Sequence, residues 1–194
     1  MTKKIALIDM DGTIADYYGA MKRDLEALAS PTDPPLPEEL HGGPDWLEAR
    51  MDLIKRQDGW WRDLPKIELG FEVLGLLEVH GYKFTVLTKG PHRTRTAWTE
   101  KAQWCDKHLK DASLMMVDGD KPSGHKGLVY GKILFDDFPP YIDAWLANRP
   151  RGLAIMLDHP WNRDYNHPNL FRIKSKCDFA DLAELLVARK ANGG

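Results

Sequence analysis

The stretch ALIDMDGTIAD, residues 6–16, closes an apolar run with Asp9, Asp11 and Asp16. Carboxylates repel one another and resist burial, so such a cluster at a strand end requires a solvating loop, a cation or a chemical task. Two further polar groups follow apolar runs in the same way: Thr88-Lys89-Gly90 after FTVL, and Asp136-Asp137 after KILF. Lysines stand before the last of these, at Lys121, Lys126 and Lys132. An EF-hand calcium loop does not fit, because DMDGTIADYYGA lacks Asp or Asn at the fifth position, Gly at the sixth and Glu at the twelfth. Gly12 permits a turn that a bulkier residue would obstruct. Asp16 lies past that turn, where a first-turn carboxylate at the start of a helix is sufficient explanation.

The elements that must position these groups follow from periodicity. Five apolar runs have the length of buried strands: Ile5 to Ile8, Phe84 to Leu87, Leu114 to Val117, Ile133 to Phe135 and Leu153 to Leu157. Helical spacing appears at Leu69, Val73, Leu76 and Leu77, with Gly81 as the stop, and again at Trp98, Ala102, Cys105 and Leu109. Phe179, Leu182 and Leu186 mark a C-terminal helix with Asp178 as its N-cap. Strands alternating with helices imply an α/β fold, a doubly wound and mostly parallel sheet covered on both faces. In such sheets ligands sit beyond the carboxyl ends of the strands, which is where the three polar groups lie.

Residues 30–44, SPTDPPLPEELHGGP, hold five prolines and two glycines and must form a loop. ADYYGAMKRDLEALA before it and DWLEARMDLIKRQDGWW after it read as helices, the second with Leu47, Met51 and Ile54 on one face. This insert is too long for an ordinary strand-to-helix connection. It divides the chain into a core of residues 1–14 and 67–194 and a small helical cap of residues 15–66 over the strand ends.

At 194 residues the chain supports one principal core with a small appendage. Hydrophobic residues at 43% and charged residues at 29% exclude a disordered chain, and a net charge of -2 gives no global attraction to nucleic acid or anionic membrane. No apolar run reaches membrane-spanning length and no secretory signal is visible, so the chain is expected in the cytoplasm. The two cysteines, Cys105 and Cys177, form no metal-binding pair and suit a reducing compartment. The scattered histidines, including His159 and His167 in one loop, read as surface or hydrogen-bonded groups.

Taken in order, DMDGT, LTKG, a lysine and ILFDD resemble the haloacid dehalogenase superfamily of phosphohydrolases, and the likeness covers the whole sheet domain. The resemblance implies a haloacid dehalogenase-like Rossmannoid fold and a Mg²⁺ cofactor, a hard cation that takes carboxylate, phosphate and water oxygens. Asp9 and Asp136 would supply carboxylates to the ion, Asp11 its backbone carbonyl, and Asp137 a place beside it. Asp9 would also be the nucleophile and Asp11 the general acid and base. Thr88 and the amides after it, including that of Lys89, would hold phosphoryl oxygens. Lys126, ten residues before Asp136, has the spacing of nucleotidase-like members and is preferred to Lys121 as the balancing cation, with Lys121 left open.

Within the superfamily the chain is most similar to the 5'(3')-deoxyribonucleotidases. DMDGTIADYY, the size of the cap, WWRDLP, EKAQWCDKHL and the HKG to ILFDD spacing carry that likeness. It implies a nucleoside monophosphate as substrate, Lys101 as a second phosphate-facing lysine, and no stable nucleic-acid partner; a homodimer is compatible with it. On an amphipathic helix, Lys101 would equally serve as a solvated charge. The cap is rich in rings that could hold a base, Tyr17, Tyr18, Trp46, Trp60 and Trp61, with Tyr17 and Trp61 best matched by position. The competing reading is that these rings are the core of a small cap. Thr88-Lys89-Gly90 departs from the family's usual Thr-Ser-Pro, and the proline-rich segment 30–44 is unlike its relatives. Sugar phosphates, polynucleotide ends, or a non-catalytic nucleotide-binding module stay open as alternatives. Residues 159–169, HPWNRDYNHPN, either line the mouth of a pocket or cross the surface.

Overall fold

The computed structural model describes residues 4–40, 42–91, 94, 96–110, 112–118 and 124–191. Its frame is a six-stranded sheet, β1 (Ile5–Ile8), β2 (Lys83–Gly90), β3 (Ser113–Asp118), β4 (Ile133–Phe135), β5 (Leu153–Leu157) and β6 (Leu170–Ile173), in the order β3-β2-β1-β4-β5-β6. Every strand pair is parallel. The helices are α1 (Tyr17–Ala27), α2 (Asp45–Lys55), α3 (Glu68–Val79), α4 (Thr96–His108), α5 (Gly124–Leu128), α6 (Pro139–Asn148) and α7 (Phe179–Ala191).

Both faces of the sheet are buried, which is why the strands read as continuous apolar runs rather than alternating ones. Leu7, Leu87, Leu134, Ala154 and Met156 turn to one face and pack with Ile142, Trp145 and Leu146 of α6. Ala6, Ile8, Val86, Phe135 and Ile155 turn to the other and join a cluster with Val73 and Leu77 of α3 and Leu182 and Leu186 of α7. That same cluster continues into Met21, Leu25, Leu47, Met51 and Ile54 of α1 and α2.

The sheet order reverses direction at β1, whose neighbours are β2 and β4. Such a reversal opens a crevice at the carboxyl ends of the strands. Register then decides what faces it: Ile8 pairs with Phe135 and with Val86, so Asp9, Asp136 and the end of β2 arrive at one level. The Asp9 amide donates to the Phe135 carbonyl at 2.8 Å, extending the ladder one residue into the crevice.

The segment inserted after β1 leaves and returns through adjacent strands of chain. Asp16 N–H donates to Pro65 O at 2.8 Å and Ile67 N–H to Ile14 O at 2.9 Å. Asp16 caps α1, its Oδ1 accepting the Gly19 amide at 2.9 Å, so it is structural as its position beyond the turn suggests. The expected helix over 45–61 ends at Lys55, and the chain turns through Gly59 at a φ of 79°. Residues 30–40 form no helix or strand.

Three features depart from expectation. β6 is an edge strand whose residues Leu170 to Arg172 are only partly buried, so it lacks the apolar run that marks the other strands. α6 opens with Pro139 and Pro140, compatible with a first turn whose amides have no intrahelical partner. Asp178 is not the N-cap of α7: it ends a short 3₁₀ turn, and its Oδ2 accepts the amides of Lys174 and Ser175 at 2.7 and 2.9 Å.

Candidate active site

Asp9 follows β1 with 5% of its surface exposed, and the fully buried Asp136 follows β4 beside it. Lys126 of α5, 1% exposed, lies between them: Nζ donates to Asp9 Oδ1 at 2.6 Å and Asp136 Oδ2 at 2.8 Å. Its charge also stands 4.4 Å from the centre of the Tyr141 ring. Lys121 lies outside the described residues.

The turn after Asp9 is held tightly. Gly12 has φ 77°, and a Cβ there would fall 2.3 Å from Asp137 Oδ2, so both the backbone sign and the approach of Asp137 require glycine. Asp11 projects toward α4, where Lys101 Nζ donates to its Oδ2 at 2.5 Å, to Thr88 Oγ1 at 3.1 Å and to Lys89 O at 2.8 Å. Lys101 is 1% exposed, which overturns the solvated-face reading. Asp11 Oδ1 is buried with no hydrogen-bond partner among the described residues.

Asp9, Asp136 and Asp137 each bring a carboxylate oxygen within 4.8 Å of the others, a spacing that can hold a metal ion. Asp136 Oδ1 accepts the Phe138 amide at 3.0 Å, and Asp137 Oδ2 accepts Trp161 Nε1–H at 3.0 Å. Among the described residues, Lys101 pairs with Asp11, and Lys126 with both Asp9 and Asp136. An all-oxygen set of carboxylate donors suits a hard divalent cation such as Mg²⁺.

Burial dominates the electrostatics. It pushes Asp136 up to about 7 against the pull of Lys126, with Asp9 adding to the rise. Asp137 is held well above the usual carboxylate range, first by burial and then by Asp9 and Asp136. Asp11 is also raised by burial, with Lys101 opposing and Asp9 reinforcing it. Because the folded value for Asp136 exceeds its ordinary 3.8, folding favours its protonated form. Its contribution is fully present below about pH 4 and is lost as pH rises to about 7. Mg²⁺ should therefore raise the melting temperature more at about pH 7.5 than at about pH 5. Thermal unfolding with and without MgCl₂ at both pH values checks this, and an equal rise at the two would place the ion away from Asp136.

A cavity of ≈ 620 Å³ is lined by Asp9, Asp11, Lys89, Lys101 and Asp137 together with Tyr17, Tyr18 and Trp61 of the inserted segment. Tyr17 and Trp61 stack with centroids 5.6 Å apart, and Lys101 Nζ lies 4.6 Å from the Trp61 ring centre. Trp46 and Trp60, expected with them as base-binding rings, are not in this lining. Trp60 packs edge-on to Tyr17 and gives its indole N–H to Asp24, and Trp46 carries Arg50 over its ring. For those two rings the cap-packing reading describes the geometry.

Several lining groups went unread. Trp161 stacks on Tyr18 at 3.7 Å and on His159 at 4.2 Å, joining the loop after β5 to α1. His159 Nε2–H donates to Gly12 O at 2.7 Å. Trp161 thus lines the cavity, with His159 stacked on it; both follow the end of β5, where a parallel sheet favours ligand contacts. Phe138 and Tyr141, which also line the cavity, gave no signal beyond their closeness to Asp136 in sequence.

A sequence model of the family described as "5' nucleotidase, deoxy (Pyrimidine), cytosolic type C protein" matches residues 3–191. The chain belongs to this family. It is accordingly a phosphoric monoester hydrolase of the 5'-nucleotidase type. None of the curated proteins compared matches it. Solved structures of haloacid dehalogenase-like hydrolases share the nucleotidase's fold. A haloacid dehalogenase family hydrolase of Deinococcus radiodurans R1 with bound phosphate and sodium gives a TM-score of 0.59 at 15% identity, covering 96% of each chain. A Bacillus subtilis protein bound to magnesium, YfnB, described as a hydrolase of this type, gives 0.52 at 12% identity, over 96% of this chain and 99% of that one. At these identities the likeness is one of fold.

Proposed function

We propose that this nucleotidase is a cytoplasmic, Mg²⁺-dependent enzyme that removes phosphate from deoxynucleoside 5'-monophosphates through an aspartyl-phosphate at Asp9. The observation that carries the reading is that Asp9, Asp11 and the buried Lys101 line one cavity with the stacked rings of Tyr17 and Trp61, while the buried Lys126 donates to Asp9. The family's description as a deoxy pyrimidine 5' nucleotidase of cytosolic type points the same way. Residues 15–66 act as the cap that carries those rings.

In this mechanism a carboxylate oxygen of Asp9 attacks phosphorus as the bond to the ester oxygen breaks. Asp11, whose proton is favoured by burial, donates it to the leaving oxygen. Asp11 then takes a proton from the water that attacks the phosphoryl group, and the bond from Asp9 to phosphorus breaks. Lys126, Lys101, Thr88 and Lys89 neutralise and hold the phosphoryl oxygens, which is where catalysis of phosphoryl transfer mostly lies. The carboxylates of Asp9, Asp136 and Asp137, with the Asp11 carbonyl, would hold Mg²⁺. When bound, the ion offsets negative charge on the phosphoryl group and the acids.

A panel of phosphate esters assayed with Mg²⁺, on the wild type and on Trp61→Ala, tests the substrate. Deoxynucleoside 5'-monophosphates should be preferred. Stacking on one ring is worth about 1 to 3 kcal/mol, so Trp61→Ala should cut nucleotide turnover roughly 5- to 150-fold while sparing p-nitrophenyl phosphate. Equal or greater turnover of sugar phosphates by the wild type would contradict the proposal. Equal losses on both esters would assign Trp61 to packing alone.

A further inference from the structure

Glu100 takes no part in the chemistry above, yet its carboxylate is buried, with 5% of the residue exposed. A carboxylate so placed needs strong partners. Its Oε1 accepts the main-chain N–H of Gly59 at 3.1 Å and its Oε2 that of Trp61 at 3.0 Å. Both donors belong to the turn that follows α2, which Gly59 allows by its φ of 79°. One helical turn further along α4, Trp104 Nε1–H donates to Leu64 O at 2.8 Å. Residues four apart share a helix face, so one face of α4 grips the segment 59–64 at its beginning and its end.

The next residue of α4 is Lys101, which bonds Asp11, Thr88 Oγ1 and Lys89 O and lies 4.6 Å from the centre of the Trp61 ring. Two consecutive residues of one rigid helix therefore tie Trp61 to the acidic cluster, Glu100 through the backbone and Lys101 through the ring face. The distance between them is set by helix geometry rather than by a loop.

We propose that Glu100 is a positioning residue for nucleotide recognition. By holding the amides of Gly59 and Trp61 it sets the height of the Trp61 ring above Lys101, and with it the span between the base wall and the phosphoryl end of the cavity. The inference rests on the reading of Trp61 as a base wall. Only a substrate long enough to reach that ring senses the span. The pair of amide donors explains why a carboxylate stands here: glutamine would turn an NH₂ donor toward one of two N–H donors, leaving that contact unmade.

Steady-state kinetics of the wild type, Glu100→Gln and Glu100→Asp, on a deoxynucleoside 5'-monophosphate and on p-nitrophenyl phosphate, tests this. Glu100→Gln should raise KM for the nucleotide on the order of tenfold, with kcat and the small ester changed less than about twofold. Glu100→Asp, which keeps the charge, should recover part of the loss. Equal losses on both substrates, or an unchanged nucleotide KM, would overturn the role of Glu100 while leaving the nucleotidase reading in place. A wild type with no preference for the nucleotide would instead remove the reading on which the role depends. If Glu100→Gln fails to fold, amide hydrogen exchange on the native protein decides. Slow exchange at Gly59 and Trp61 is expected, and exchange as fast as in an exposed loop would overturn the proposal.

Discussion

Asp9→Asn is expected to abolish turnover, by on the order of 10⁴-fold or more, while the fold persists. The substitution keeps the side chain's size and removes the attacking charge. It should not unfold the protein, because Lys126 retains Asp136 at 2.8 Å as a partner. The charge of Asp9 raises Asp11, Asp136 and Asp137 alike, so its removal relieves repulsion among buried acids. The metal-free variant should therefore melt at the wild-type temperature or above. Activity assays paired with thermal unfolding check both halves. Substantial residual turnover would rule out Asp9 as nucleophile, and a large fall in melting temperature would show that the inactivity is structural.

Lys126→Met carries the second large effect, and here stability and activity should fall together. Lys126 is the ammonium group that bridges Asp9 and Asp136. Breaking a buried pair from one side typically costs about 3 to 5 kcal/mol, because the remaining charges lose their partner. Without the pull of Lys126, Asp136 rises beyond its present value of about 7, and a group raised in the fold loses its stabilising contribution as pH increases. The variant's deficit should accordingly be larger at about pH 8 than at about pH 5, and Mg²⁺ should recover part of it. Denaturant unfolding at the two pH values reads this directly. A deficit independent of pH would mean that Lys126 matters for packing. Turnover should fall roughly 10²- to 10³-fold, as for removal of other groups that stabilise developing charge. Retained turnover would transfer the phosphate-facing role to Lys121.

The reactive end of the site was legible because its residues lie at the ends of strands. Asp9, Thr88 and Asp136 each follow an apolar run, and a parallel sheet brings such positions together whatever the loops do. Lys126 required the spacing to Asp136, since nothing in its own neighbourhood distinguishes a buried cation from a solvated one. Lys101 illustrates the limit: its helix is amphipathic, and only the inserted segment folding over it turns a solvated face into a buried one. Trp46 and Trp60 were grouped with Tyr17 and Trp61 because composition supplies rings without directions. The Trp60 indole is committed to Asp24, 36 residues earlier in the chain, a pairing that periodicity does not encode. Glu100 and Trp161 were missed for the same reason, as their partners lie 39 and 24 residues away. β6 escaped because an edge strand, half open to solvent, needs no unbroken apolar run.

The mechanism requires Asp9 to carry the phosphoryl group between its two transfers. The most direct measurement is mass spectrometry on Asp11→Asn after an acid quench during turnover of p-nitrophenyl phosphate with Mg²⁺. That ester needs little help from a general acid to depart, whereas hydrolysis of the acyl phosphate loses its base, so the intermediate should accumulate. A phosphoryl group on the peptide containing Asp9, absent when Asp9 is also replaced by asparagine, is the predicted result. Continued release of p-nitrophenol with no phosphoryl group on that peptide, or with one attached elsewhere, would contradict it.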